Sequence, residues 1–251
     1  MSAPQAQTRR AVTAALIAIT ALTWAYLVFL SAQMSEMGSP FAMPMTSAWT
    51  GQQTVLMWVM WAVMMAGMML PSAAPMISAY ARTIQPSAHG PHGSTALFIV
   101  GYLAVWSGFA VLATGAQWAL HEFALVNSMG ASVSRWLGGT LLLIAGLYQF
   151  TGAKEACLRQ CRTPLGFLLN NWRGGRRGAI VMGLHHGALC VGCCWALMTV
   201  LFVLGVMNLW WIAVLAAVVL AEKLFPSQAL TRILGGALTI WGAALLIGLG
   251  L

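Results

Sequence analysis

The sequence predicts an all-α polytopic membrane protein, a transmembrane bundle of about seven helices with its N-terminus in the cytoplasm. Apolar residues make up 60% of the 251 residues, and charged residues make up only 6%. Several stretches therefore run for 18 or more residues with almost no charge, which is the length of a transmembrane helix. These stretches must be helical because lipid offers the backbone no hydrogen-bond partner. A soluble fold is excluded, and no linker divides residues 1–251 into more than one domain.

Seven apolar segments are candidates for these helices, and the sixth of them is short. The first segment follows two arginines and is long for a signal peptide, so we expect it to remain as a membrane anchor. The seven segments are residues 10–32, 53–70, 95–120, 133–150, 179–206, 209–221 and 233–251.

The basic residues orient the chain. With seven spans and a cytoplasmic N-terminus, Arg135 is the one residue among the 12 lysines and arginines that falls on the outer side, as the positive-inside rule expects. The net charge of +8 is therefore explained by topology, and no nucleic-acid partner is predicted. The basic loop at 151–178 is expected to lie inside, where it meets the headgroups of the lipid bilayer.

Three cysteines within five residues identify the fifth span as the candidate functional segment. Cys190, Cys193 and Cys194 share a helical face with Met198 and His186, because positions three and four apart lie on one face. Thiolate and thioether sulfurs are soft ligands that select Cu(I) over hard cations. The pattern predicts a Cu(I) site; the alternative is that the cysteines are small buried hydrophobes with inert thiols.

A ladder of methionines runs along the second span. Met60, Met64 and Met68 recur at helical spacing, and Met64 lies about 16 Å inside the outer end of its span at 1.5 Å per residue. This depth is close to that of the thiols, so the ladder is expected to complete the copper site if the two helices are neighbours. The alternative is that these flexible side chains only fill gaps in the bundle.

A second group of methionines lies in the outer loop and is a candidate for capturing Cu(I): Met34, Met37, Met43 and Met45.

A second thiol pair, Cys157 and Cys161, lies in the basic inner loop. Neighbouring Lys and Arg charges are expected to lower the pKa of these thiols, and a reducing cytoplasm would keep them free. The pair is expected either to exchange Cu(I) with a soluble partner or to be structural.

An adjacent acid and base, Glu222 and Lys223, end the short sixth span. They are expected to form a polar helix end, with a buried partner for Glu222 as the alternative.

The sequence around the thiols resembles a known family. The segment 187–198, GALCVGCCWALM, is followed by the segment GVMN at 205–208 and by Glu222 and Lys223. Together with the segment MMAGMMLP at 64–71, these residues resemble the bacterial predicted metal-binding integral membrane proteins, a domain of unknown function, over about residues 55–230. One branch of that family is the membrane copper chaperone that accompanies a bacterial tyrosinase. The resemblance implies a multi-pass protein of the bacterial inner membrane that delivers Cu(I) to a copper-dependent client enzyme.

These features predict a copper-binding protein that holds and hands over Cu(I), and not an enzyme. A Cu(I) transporter is the alternative within this class, and a homo-oligomer is an open alternative for its assembly. The rival from another class is a thiol–disulfide oxidoreductase that uses Cys190 and Cys193 as a CxxC pair. Such a pair should lie near the outer surface to meet periplasmic partners, whereas this pair is expected near the midplane or inward of it. The sequence has no phosphate-binding loop, nucleophile elbow or HExxH motif.

Overall fold

In the computed structural model the described residues, 3–34, 49–83, 90–126, 131–132 and 134–249, are almost entirely α-helical, which confirms the all-α part of the predicted fold class. An isolated bridge joins Val126 to Ser132. The predicted methionine group of the outer loop, from the side chain of Met34 to Met45, lies outside these residues. The helices in the described ranges are α1 (Ala3–Met34), α2 (Gly51–Thr83), α3 (Gly90–Glu122), α4 (Arg135–Tyr148), α5 (Gly152–Arg162), α6 (Pro164–Asn171), α7 (Gly175–Thr199), α8 (Leu201–Leu204), α9 (Leu209–Leu224) and α10 (Gln228–Leu246).

Five helical segments in the described part of the chain are long and apolar enough to cross a membrane. They are Arg10–Gln33, Gly51–Thr83, Gly93–Glu122, Gly175–Leu204 and Gln228–Leu246. The predicted fourth and sixth spans correspond to α4 and α9, which have 14 and 16 residues. At 1.5 Å per residue these helices are about 21 and 24 Å long, shorter than a hydrocarbon core of about 30 Å. The predicted count of about seven spans is therefore not confirmed.

Helices α3 and α7 pack closely on each other because glycines let their two backbones touch. A Cβ atom added to Gly183 would lie 2.1 Å from the carbonyl oxygen of Phe98, and one added to Gly101 would lie 2.4 Å from that of Ile180. Any side chain at either position would push the helices apart. This close contact holds α7, which carries three cysteines, at a fixed position against α3.

Two short helices end at the same level along α7, beside its cysteines. The hydroxyl of Tyr148, the last residue of α4, donates a hydrogen bond to the carbonyl of Gly192. Lys223, the penultimate residue of α9, contacts Cys190. The next helix after α4, α5, packs on α7 at this level as well. The cysteines of α7 therefore lie where three neighbouring elements meet, and we call this region the thiol level.

Candidate metal centre

The sulfur of Cys190 lies between a buried cation and a phenol. Lys223 Nζ is 2.9 Å from Cys190 Sγ and donates a second hydrogen bond, of 2.8 Å, to Ser72 Oγ. The hydroxyl of Tyr102 is 3.1 Å from the same sulfur. All four side chains are buried, and a buried ammonium is costly unless it is paired. The contact therefore places a buried positive charge directly beside the sulfur of Cys190.

The other two thiols of α7 turn to different neighbours. Cys194 Sγ lies 4.0 Å from Met69 Sδ of α2. Cys193 interacts with Cys161 of α5 as well as with Cys190 and Cys194 of its own helix. Because Cys190 faces α9, the three thiols of this one helix each meet a different element. Each of these three contacts joins α7 to a separate part of the bundle.

The three thiols of α7 are adjacent and interact with one another. All five cysteines are free, and both Cys193 and Cys194 donate hydrogen bonds to the Cys190 carbonyl, at 3.1 and 2.9 Å. Among the described residues, no three His, Cys, Asp or Glu side chains converge into a metal-binding group. A site built from the three predicted thiol ligands thus stays a prediction.

His186 is a buried imidazole without a hydrogen-bond partner in the described structure. Only 1% of its surface is exposed, and neither ring nitrogen is hydrogen-bonded. The ring stacks on Tyr102 with centroids 5.6 Å apart and on Phe98 at 6.0 Å. Buried polar groups almost always have partners, so these nitrogens fit a side chain that binds a ligand. The donor set near the thiol level, sulfur with imidazole, is one that suits Cu(I).

The predicted methionine ligands are buried, but a different methionine approaches the thiols. Met60, Met64 and Met68 have 1% or less of their surface exposed, and Met198 has none. Met69, the residue directly after Met68 on α2, is the thioether at 4.0 Å from Cys194. Helical spacing identified the buried side of α2, but it could not indicate which sulfur faces α7.

The thiols of α5 pack against α7 and do not lie in an exposed basic loop. A Cβ atom added to Gly192 would lie 2.8 Å from Cys157 Sγ, so Cys157 rests against the backbone of α7. The prediction that basic neighbours lower the thiol pKa was wrong. Burial raises the pKa of Cys157, and the hydrogen bond with Cys193 together with burial raises the pKa of Cys161 well above its ordinary value.

Two basic side chains of α5, Lys154 and Arg162, are directed at Glu222 and not at these thiols. Lys154 Nζ lies 2.9 and 2.8 Å from the two carboxylate oxygens of Glu222 and also donates to Gln149 Oε1. Arg162 Nε donates to the backbone carbonyl of Glu222 at 2.7 Å. The interpretation of Glu222 and Lys223 as a polar helix end was therefore wrong, since both are buried. The alternative, a buried partner for Glu222, is what the structure contains.

Comparison with known proteins assigns a family to this arrangement. The model of the PpoB2 family, described as a copper chaperone, matches residues 58–245. The chain belongs to the PpoB2 copper chaperone family. The match covers well over half of the chain and confirms the resemblance predicted from the sequence. No curated protein and no solved structure matches significantly. The matched region of this PpoB2 protein contains all five cysteines, Met69 and Lys223.

Proposed function

We propose that this protein is a copper chaperone of the bacterial inner membrane that holds Cu(I) and hands it to a copper-dependent client enzyme. The observation that supports this proposal most strongly is the cluster of soft donors at the thiol level. Cys190, Cys193 and Cys194 lie there, and Met69 contacts Cys194. Such donors bind Cu(I) in preference to hard cations. Membership of a copper chaperone family supports the same cargo.

The charge at the thiol level favours Cu(I) bound by thiolates. Two thiolates and one Cu(I) ion carry a net negative charge, which is costly to bury without compensation. The ammonium of Lys223 lies 2.9 Å from Cys190 Sγ and supplies a positive charge at the thiol level. His186 and Met198 are neutral donors on the same helix, and they add ligands without adding charge. We propose both as further ligands that join when the thiol side chains rotate.

The same donors suit transfer as well as binding. A neutral thioether such as Met69 holds Cu(I) more weakly than a thiolate does, so it can take part in an exchange without trapping the ion. Met60, Met64 and Met68 continue the buried methionine face of α2 away from Met69. We propose that this face passes copper along α2, with gap-filling in the core as the alternative role.

Reconstitution in lipid vesicles separates a chaperone from a transporter. The purified full-length protein is placed in vesicles that contain a fluorescent Cu(I) chelator, and Cu(I) is added outside. If the protein is a chaperone, copper should bind to it in a fixed ratio and the fluorescence of the chelator in the vesicle lumen should not change. Steady accumulation of copper in the lumen would instead identify a transporter and contradict the chaperone proposal.

Delivery is tested directly with a copper-free tyrosinase as the acceptor. Copper-loaded protein should restore activity to the apoenzyme even when a soluble Cu(I) chelator is present that intercepts free copper. The same amount of copper supplied without the protein should restore much less activity. Equal activation by both sources would overturn the proposal of delivery, because the copper would then be reaching the enzyme through solution.

A further inference from the structure

A polar cavity of about 210 Å³ is lined by residues of three elements, α4, α5 and α10. Gln149 follows the last residue of α4, Lys154 and Arg162 belong to α5, and Thr231 and Arg232 belong to α10. Pockets for drug-sized ligands have volumes of about 300–1,000 Å³. The cavity is smaller than these pockets and therefore suits one small polar group.

Two buried side chains of the cavity lining have polar atoms without a hydrogen-bond partner in the described structure. Gln149 and Thr231 are 4% and 8% exposed, and neither Gln149 Nε2 nor Thr231 Oγ1 is hydrogen-bonded. The amide oxygen of Gln149 accepts a hydrogen bond from Lys154, so the unpartnered atom of this amide is its donor nitrogen. Because buried polar groups almost always have partners, these two donors fit a ligand that accepts hydrogen bonds.

Positive charge exceeds negative charge around the cavity. Lys154 is paired with Glu222 at 2.8 Å. Arg162 donates to a backbone carbonyl and Arg232 to a neutral amide, and neither guanidinium forms an ion pair within the described part of the chain. The lining also contains the carboxylate of Glu155, which accepts a hydrogen bond from an amide. Three cations and two carboxylates leave an excess of one positive charge, so the cavity favours an anion.

We propose that this cavity binds a phosphate group. Phosphate oxygens carry negative charge and accept hydrogen bonds, and they match both the planar guanidinium of an arginine and the unpartnered donors of Gln149 and Thr231. The first turns of α5 and α10 also line the cavity, and the N-terminal turns of helices favour anions. This site takes a ligand other than copper, so it does not depend on what the thiols bind.

The position of the cavity favours an anionic phospholipid as the source of the phosphate. The α10 helix is a candidate membrane span of 19 residues, about 28 Å long at 1.5 Å per residue, which is close to the hydrocarbon thickness of about 30 Å. Its first turn therefore lies at the depth of the headgroups, where basic pockets bind anionic lipids. Phe150, in the lining, and Ile233, next to Arg232 in the sequence, are 54% and 70% exposed and offer apolar surface to the acyl chains.

Lipid binding to the wild-type chain tests the site without any variant. The full-length protein is delipidated in detergent and titrated with dioleoylphosphatidylglycerol, and bound lipid is counted by native mass spectrometry. One lipid should bind and raise the midpoint of thermal unfolding. Dioleoylglycerol, which has the same acyl chains and no phosphate, should do neither. Equal binding of the two lipids would overturn the proposal, because the phosphate would then contribute nothing.

Inorganic phosphate distinguishes a lipid headgroup from free phosphate as the source of the same group. Added alone at millimolar concentration, it should leave the unfolding midpoint unchanged, because it lacks the acyl chains that strengthen binding of the lipid. A higher midpoint with phosphate and none with phosphatidylglycerol would support the site but assign it to free phosphate. No shift with either compound would overturn the proposal.

Substitutions in α10 test whether the named residues bind the phosphate. Arg232→Gln should weaken binding of phosphatidylglycerol about tenfold, because it removes a charge-assisted hydrogen bond. Thr231→Val keeps the shape of the side chain and removes one donor, so it should weaken binding about fivefold. Without lipid, both variants should unfold at the wild-type midpoint, since Arg232 is exposed and the hydroxyl of Thr231 has no partner to lose in the described structure.

Arg159→Gln is the matched control, since it removes the same charge from an exposed position of α5 that does not line the cavity. It should bind phosphatidylglycerol as wild type does. If Arg159→Gln and Arg232→Gln weaken binding equally, general attraction of basic residues to headgroups explains the binding and the proposed site is overturned.

Discussion

The ammonium nitrogen of Lys223 lies 2.9 Å from the sulfur of Cys190, in a region where both side chains are buried. Lys223 is the second-to-last residue of α9, so this contact fixes the end of that helix against the middle of the cysteine segment of α7. A fixed positive charge at this position would be hard to explain in a bundle held together by packing alone. It is explained if the neighbouring sulfur carries negative charge when the protein holds its cargo.

Replacing Lys223 tests this electrostatic role. Lys223→Met keeps a long flexible side chain but removes the charge, so Cu(I) affinity should fall by about tenfold or more while the protein still folds, because a buried charge is replaced by an apolar group. Chelator competition on the purified variant gives the affinity. Arg232→Met removes an exposed positive charge and serves as the control. Undiminished affinity in Lys223→Met would show that Lys223 has a structural role only.

The ion pair of Lys154 and Glu222 is expected to hold α5 in place. Both side chains are almost fully buried, with 1% and 2% exposed. Lys154→Met leaves the carboxylate of Glu222 buried without its partner, and loss of one partner of such a pair costs about 3–5 kcal/mol of stability. Thermal unfolding in detergent should show a lower midpoint for this variant. The double variant Lys154→Met with Glu222→Gln should recover much of the loss, and a double variant no more stable than the single one would contradict this account.

The sequence predicted the all-helical fold class because hydrophobic length and charge are local properties, while the count of about seven spans is not confirmed. The all-helical fold, the position of the cysteine helix and the burial of Met60 and Met64 follow from helical periodicity in an apolar chain. The partners of the thiols could not be predicted in the same way. Lys223 and Met69 reach the thiols only through the packing of α9 and α2 on α7, and spacing within one helix carries no information about which helices are neighbours.

The same reason explains the incorrect pKa prediction for the α5 thiols. Along the chain, Lys154, Arg159 and Arg162 all lie within five positions of Cys157. In the folded protein, Lys154 and Arg162 are directed at Glu222, which lies on α9 and is far away in sequence. Burial therefore dominates the environment of the thiol, and it raises the pKa of Cys157.

The methionine ladder can be separated from core packing by leucine substitution. Replacing Met60, Met64 and Met68 together by Leu keeps apolar volume but removes three sulfurs, and such exchanges usually cost less than about 1.5 kcal/mol each. If the ladder conducts copper, transfer to an apoenzyme should slow, most clearly when copper is limiting, and added copper should relieve the defect. Met69→Leu alone should weaken binding more than any single ladder variant, because Met69 contacts Cys194. Wild-type transfer in the triple variant would assign the ladder to packing.

The orientation of the thiol level can be tested with a topology reporter. A reporter fused after Phe150, in the turn between α4 and α5, should indicate a cytoplasmic location, because all basic residues except Arg135 are predicted to face inward. The matched fusion after Glu122, at the end of α3, should report the outer side. Periplasmic activity of the Phe150 fusion would reverse the orientation and place the entry of copper on the opposite face of the membrane.

The central claim is that the cysteines of α7 hold copper. The most direct measurement is the copper content of the purified protein after loading with Cu(I), for the wild type and for the triple variant Cys190→Ser, Cys193→Ser and Cys194→Ser. Serine nearly preserves the volume of cysteine, so the variant should insert into the membrane and fold, while its hydroxyls bind Cu(I) poorly. We predict stoichiometric copper in the wild type and almost none in the triple variant. Undiminished stoichiometric copper in the triple variant would contradict the account.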